Sequence, residues 1–221
     1  MLKMNCDTAF TIPLFGGIPI PESVAVTWIV MAFLVIASIA LTRNLKIVPT
    51  SKSQTCVEIL VGAIYRFLGG ILGEDGKRYF PYLGTIILFL SVGNLTELVG
   101  MKPPTKDMNV TVALAFMSIC LIEYSGWHKK GSKKFLRSFL EPMPALLPLN
   151  ILEILIRPLS LCMRLFGNVF GTFVVMEMIK LLIPVIIPIP FSMYFDVFDG
   201  LVQMYIFVLL TSLFMKESLD D

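Results

Sequence analysis

The chain has 221 residues, of which 56% are hydrophobic and only 15% are charged, with a mean hydropathy of +0.82. A soluble domain carries about 25% charged residues, so this chain cannot cover a water-facing surface of normal size, and lipid must be the solvent for much of it. The net charge of +2 gives no reason to invoke nucleic acid, and the four cysteines (Cys6, Cys56, Cys120, Cys162) and single His128 have no metal-ligand spacing.

A bilayer core of about 30 Å takes roughly 20 apolar residues as helix. The first such run is Val24 to Thr42, opened by Pro21, Glu22 and Ser23 and closed at Arg43 to Lys46. Only Lys3 precedes it, and Asp7 and several prolines intervene, so a cleavable signal peptide is not expected. Ser51 to Arg78 is too charged to span. Its apolar residues Val57, Leu60, Val61, Ile64, Phe67, Leu68 and Ile71 recur at helical spacing, which predicts an amphipathic helix on the membrane surface. A second span is predicted over Tyr82 to Val99. A polar turn from Lys102 to Asp107 leads to a third, Val110 to Tyr124, followed by the densest basic run, from His128 to Arg137. From Leu146 to Phe214, two long apolar stretches divided near Pro184, Pro188 and Pro190 read as a helical hairpin, because proline cannot continue a helix ladder.

The expected fold is therefore all-α integral membrane, with about five crossings and one surface helix. It reads as a single membrane domain, with the first spans and surface helix in 1–145 and the final hairpin in 146–217. By the positive-inside rule, the basic residues Arg43, Lys46, Lys52, Lys77 and Arg78 and the lysine-rich run face the cytoplasm. The N-terminus is then outside and the C-terminus inside.

Ionisable groups inside a span are costly, about 2.5–3.5 kcal/mol for an Arg at the helix centre on insertion scales. They gather in the final hairpin. Arg157, Ser160, Arg164, Asn168 and Gly171 follow helical steps of three or four and make one polar or small stripe, and Gly167 and Gly171 have GxxxG spacing. Arg164 has apolar sequence on both sides and cannot lose its proton, so it needs an anion. Its partner is either a carboxylate on another chain or an internal one at Glu153, Glu177 or Asp196. Asp196, Asp199 and Gln203 sit at i, i+3 and i+7. They form either a water-filled entry path or, for the acids, a helix end among headgroups. Asn94 and Glu97 share a face of the second span. Glu153 has the spacing to pair with Arg157, and Glu177 to pair with Lys180. No nucleophile pair, phosphate loop or nucleotide-binding glycine fingerprint occurs, so neither a catalytic site of its own nor a cofactor is expected.

The stretch Arg157-Pro-Leu-Ser-Leu-Cys-Met-Arg164-Leu-Phe-Gly-Asn168 resembles the signature of subunit a of the F-type ATP synthase. Pro104-Thr-Lys-Asp107-Met-Asn109-Val-Thr111, Leu147-Pro-Leu-Asn-Ile-Leu-Glu153 and Gln203 within VQMYIFVLLT resemble further blocks of that family, in order from about Tyr79 to Thr211. The resemblance implies a tilted hairpin pressed against a ring of c subunits, with peripheral-stalk b subunits and the rest of the complex as partners, in a bacterial plasma membrane. Two offset half-channels would carry H⁺ or Na⁺ to and from a ring carboxylate. Arg164 matches the family's essential Arg, Asn168 and Gln203 match polar positions facing it, and Asp196, Asn94 and Glu97 match the outer half-channel. Glu153 matches an acid of the cytoplasmic half-channel. Many relatives carry an acid or His where this chain has Phe173, and Glu177, one turn on, is expected to take its place. The alternatives are a stand-alone channel or secondary transporter, against which no repeat symmetry is found, and a structural subunit without an ion path.

Overall fold

The computed structural model describes residues 8–12, 18–43, 46, 52–74, 76–99, 101, 103–130, 147–182 and 188–220. Seven α-helices lie within them: α1 (Glu22–Thr42), α2 (Lys52–Leu72), α3 (Phe80–Leu95), α4 (Met108–Lys130), α5 (Leu147–Leu182), α6 (Pro188–Met193) and α7 (Gly200–Asp220). A π-helical segment, Tyr194–Asp199, joins α6 to α7. The architecture is that of an all-α integral membrane protein. A short antiparallel hairpin (β1, Thr8–Ile12; β2, Ile18–Pro21) precedes α1, with Phe10 opposite Ile20 and Ile12 opposite Ile18. It was not anticipated, although Gly16-Gly17 between two apolar runs is a hairpin signal.

The helix ends follow local chemistry. Pro21 is extended at the N-cap of α1, and Glu22 lies in the first turn, where the helix dipole favours an acid. Gly73, at φ +65°, closes α2 in the left-handed region that suits glycine. Pro81 stands in the first turn of α3, where its missing N–H costs nothing. Asp107 Oδ1 accepts the N–H of Asn109 at 2.9 Å, so this acid of the Pro104–Thr111 block caps α4.

Among the described residues, five helical stretches are long and apolar enough to cross a membrane: Glu22–Thr42, Lys52–Leu72, Met108–Lys129, Ile156–Met176 and Val197–Leu219. The sequence reaches the same number by a different set, with α3 crossing and α2 on the surface. The α-helical part of α3 is only 16 residues, but the 3-10 turns Lys77–Tyr79 and Thr96–Val99 prolong it at both ends. The outer face of α2 mixes Lys52, Glu58 and Arg66 with exposed Ile59, Leu60 and Tyr65, a composition suited to the membrane–water boundary.

The core forms around α7, which packs on α2, α3 and α4, while α5 packs mainly on α4. Leu68, Leu83, Leu90, Ile122, Leu161, Leu165, Phe207, Val208 and Met215 are buried in one apolar cluster. Thr111, Ser118 and Ser125 recur every seven residues down α4 and are fully buried. Small side chains there let α5 and α7 come close. The hydroxyls of Thr111 and Ser125 are absorbed by carbonyls of their own helix, Met108 at 2.9 Å and Ile122 at 2.7 Å. Ser218 of α7 also donates to the Ile122 carbonyl. By contrast, α1 buries only Val26 and Val30 and exposes Trp28, Phe33, Ile36 and Ile39, as a helix solvated by hydrocarbon does.

Arg78, at the start of α3, contacts His128, at the end of α4, at 2.8 Å. Arg78 and His128 thus lie at one end of the bundle.

Candidate polar path through the final hairpin

α5 is 36 residues long, about 54 Å at 1.5 Å per residue. That exceeds a perpendicular crossing of a core of about 30 Å. The polar stripe expected from the sequence runs along it, and α7 meets it in antiparallel register. At the basic end, Arg157 Nη2 lies 3.0 Å from Glu217 Oε1, and its guanidinium sits 5.2 Å from the Phe214 ring centre. Further along, Asn168 Nδ2 donates to Gln203 Oε1. Beyond that, Thr172 Oγ1 donates to Asp199 Oδ2 at 3.4 Å.

Arg164 falls between the first and second of these contacts. It is partly buried and, among the described residues, makes no hydrogen bond or ion pair. Glu153 and Glu177 lie on the same continuous helix, about 16 and 20 Å along its axis from Arg164, so neither is placed as an internal counter-ion. The side chains of Glu153, Phe173, Glu177, Lys180 and Asp196 lie outside the described residues. Gly167 and Gly171 face open space, with nothing within 4 Å of an added Cβ.

Asp199 and Gln203 both face α5. The α-helical spacing that groups Asp196 with them does not apply across Tyr194–Asp199, which is π-helical. π segments arise where an extra residue is accommodated, often at functional sites, and nothing in the local sequence marks this one. Gln203 is buried, and its Nε2 finds no acceptor among the described residues. Beside it lies a cavity of about 30 Å³ bounded by Asn94, Glu97, Thr105, Thr172, Asp199 and Gln203 together with apolar neighbours. A water needs roughly 10–15 Å³ and two or more polar partners, and this cavity offers both. The acids and amides expected on two separate stretches of sequence, Asn94 with Glu97 and Asp199 with Gln203, are therefore brought to one pocket with room for a water.

Asn94 builds its wall. Its Nδ2 donates to the Gly200 carbonyl at 2.8 Å, and its Oδ1 accepts from Thr105 at 3.1 Å. The amide joins α3, the 3-10 turn Pro104–Lys106 and the first residue of α7. Gly200 permits this approach, since a Cβ there would lie 2.9 Å from Asn94 Cβ. Thr105, Thr172, Gly200 and Glu217 were not singled out from the sequence. Thr105 stands within the Pro104–Thr111 block and Gly200 directly follows Asp199, but each acquires its role only across helices.

Comparison with known proteins adds a decisive observation. Residues 24–216 match the family model described as ATP synthase A chain. The chain belongs to that family. It is 39% identical over 197 residues to an ATP synthase subunit a from Moorella thermoacetica, covering 89% of each chain. It is 32% identical over 221 residues to an "ATP synthase subunit a, sodium ion specific" from Propionigenium modestum, covering 93% of this chain and 76% of the relative. A Geobacter sulfurreducens ATP synthase subunit a is 36% identical over 205 residues. Membership of the ATP synthase A chain family makes this a multi-pass membrane subunit of an ATP synthase complex, concerned with ion transport. The matched region contains every residue of the polar path except Glu217, which lies one position beyond it.

Gly200→Ala is expected to force α7 from α3, as overpacking costs about 1–3 kcal/mol. Gly93→Ala, where the added methyl meets Pro104 at an ordinary 3.5 Å, is expected to be tolerated. Detergent-induced unfolding of the purified complex compares the two, and equal midpoints would contradict this account of the Asn94 contact.

Proposed function

We propose that this chain is the ion-carrying stator subunit of the complex, facing a rotating ring of c subunits, and that Arg164 pairs with each ring carboxylate as it passes. The supporting observation is the contrast along one helix face. Arg157 and Asn168 find partners on α7 and Thr172 finds one on the π segment that precedes it, while Arg164 finds none among the described residues. The anion that a permanent intramembrane cation requires is then supplied by another chain, and the exposed Gly167 and Gly171 leave room for it to approach.

The chemistry follows from the charge. A guanidinium lowers the pKa of a carboxylate beside it, so a ring site arriving at Arg164 gives up its ion. The same fixed cation repels a proton or Na⁺ moving directly between the two aqueous paths, and so prevents a leak. The wet pocket of Asn94, Glu97, Thr172, Asp199 and Gln203 belongs to the outer half-channel, with Asp196 and Glu177, the latter replacing the polar group absent at Phe173. Glu153 belongs to the cytoplasmic half-channel. The membrane potential drives the cycle with about 2.3 kcal/mol per charge per 100 mV. The ion, H⁺ or Na⁺, is selected chiefly by the ring site. The protein lies in a bacterial plasma membrane with its N-terminus outside, and peripheral-stalk b subunits hold it against the turning ring.

Two substitutions test this in vesicles containing the whole complex, with assembly checked by pull-down of the ring. Arg164→Ala assembles but loses ion-driven ATP synthesis, whereas normal synthesis would reduce Arg164 to a structural residue. Glu177→Gln lowers synthesis without affecting assembly. Unchanged synthesis would remove Glu177 from the path while leaving the reading of Arg164 in place.

A further inference from the structure

A second feature lies away from the polar path. Between α1 and α4, floored by α3, runs an apolar groove of about 790 Å³, with Met31, Tyr82, Thr85, Phe89, Leu114 and Met117 among its walls. In a bilayer such a groove is filled by hydrocarbon or by protein. A transmembrane helix about 10 Å across and 30 Å long occupies roughly 2,400 Å³, so it would rest on the groove rather than in it. A slender acyl chain fits inside.

The basic end of the groove has a matching polar group. On α3 and the turn before it, Arg78, Tyr82, Thr85 and Phe89 are spaced by four, three and four residues, and so share one face. On α4, Met117, Leu121, Tyr124 and His128 repeat the same spacing. The two groove-lining faces therefore end in Arg78 and His128, which meet at 2.8 Å. A guanidinium only donates, so His128 Nε2 accepts from Arg78 and fixes its orientation. His128 is itself stacked on Tyr124, with ring centres 5.8 Å apart. Both Arg78 and His128 are exposed, and among the described residues no carboxylate pairs with Arg78. Tyr124 and Trp127 are exposed at the same level, as aromatic side chains at a headgroup boundary are.

We infer that this groove and its basic mouth form a binding site for one anionic phospholipid. An acyl chain lies between α1 and α4 over α3, and the oriented Arg78 guanidinium holds the headgroup phosphate with the donors that His128 does not use. Basic pockets between transmembrane helices are an established way to hold anionic headgroups. The site stands apart from Arg164 and does not depend on the ion-path reading.

The test uses the purified complex exchanged into detergent with equal amounts of phosphatidylglycerol and phosphatidylcholine. Native mass spectrometry then counts lipids retained on this subunit. Phosphatidylglycerol is expected to be retained in preference. Arg78→Gln should lower that preference about five-fold, the effect of one cation near a lipid surface, and His128→Leu should lower it less. Ala113→Phe, which fills the groove, should reduce retention of both lipids. Equal retention of the two lipids by the unaltered chain, or an unchanged preference in Arg78→Gln, would overturn the inference. So would efficient cross-linking of Ala113→Cys to another polypeptide, since the groove would then be occupied by a protein partner. Arg78→Gln should leave ion-driven ATP synthesis coupled, which separates this site from the polar path.

Discussion

A guanidinium held within a membrane helix must find an anion, because it cannot shed its proton and hydrocarbon does not solvate it. Arg164 sets this condition for the whole hairpin. α5 carries it on a polar stripe, and α7 with the π segment before it satisfies that stripe on either side of Arg164, through Glu217 toward one end and through Gln203 and Asp199 toward the other. Between these contacts α7 places Phe207 and Val208 in the core. Among the described residues Arg164 is thus unpaired, beside two glycines with open space around them. An unpaired intramembrane cation is costly, and the proposed ring carboxylate would offset that cost.

The rest of the fold holds that cation and the pocket beside Gln203 in register. α7 can serve as one wall of the path because it is also the centre of the core, gripped by α2, α3 and α4. The seam of Thr111, Ser118 and Ser125 brings α4 close enough to carry α5 as well. At the other end of the hairpin, the π turn and the Asn94–Gly200 contact set the direction of Asp199. A buried amide such as Asn94 contributes through geometry more than strength. A hydrogen bond is worth only about 0.5–1.5 kcal/mol net, but here one side chain fixes three segments around a single cavity.

Much of this was legible in the sequence for a simple reason. Intramembrane charge is so costly that every polar residue in an apolar run carries information. Arg164, Asn168, Asp199 and Gln203 stood out on that ground, and helical spacing placed Arg164 and Asn168 on one stripe. Spacing within one helix could not show which helix lies opposite. Arg157 has Glu153 one turn before it, yet its guanidinium also reaches Glu217, 60 residues further on. Nor could α-helical spacing anticipate the π segment Tyr194–Asp199. Thr105, Thr172 and Gly200 are small residues common in membrane helices, and only their neighbours distinguish them. The charges of α2 pointed to the surface while its length permits a crossing, since length and polarity are separate properties of a helix.

The most direct test of the central claim asks where the counter-ion of Arg164 resides. In the assembled complex, cysteine is placed at Arg164 and, on the ring subunit, at the position of its intramembrane carboxylate, and disulfide formation is followed under mild oxidation. The account predicts a cross-linked product between this chain and the ring subunit in good yield, because the two groups must meet once in every passage. Absence of that product in a fully assembled complex, together with ready cross-linking of the same cysteine to a position on α7 of its own chain, would show that Arg164 faces inward and would contradict the account.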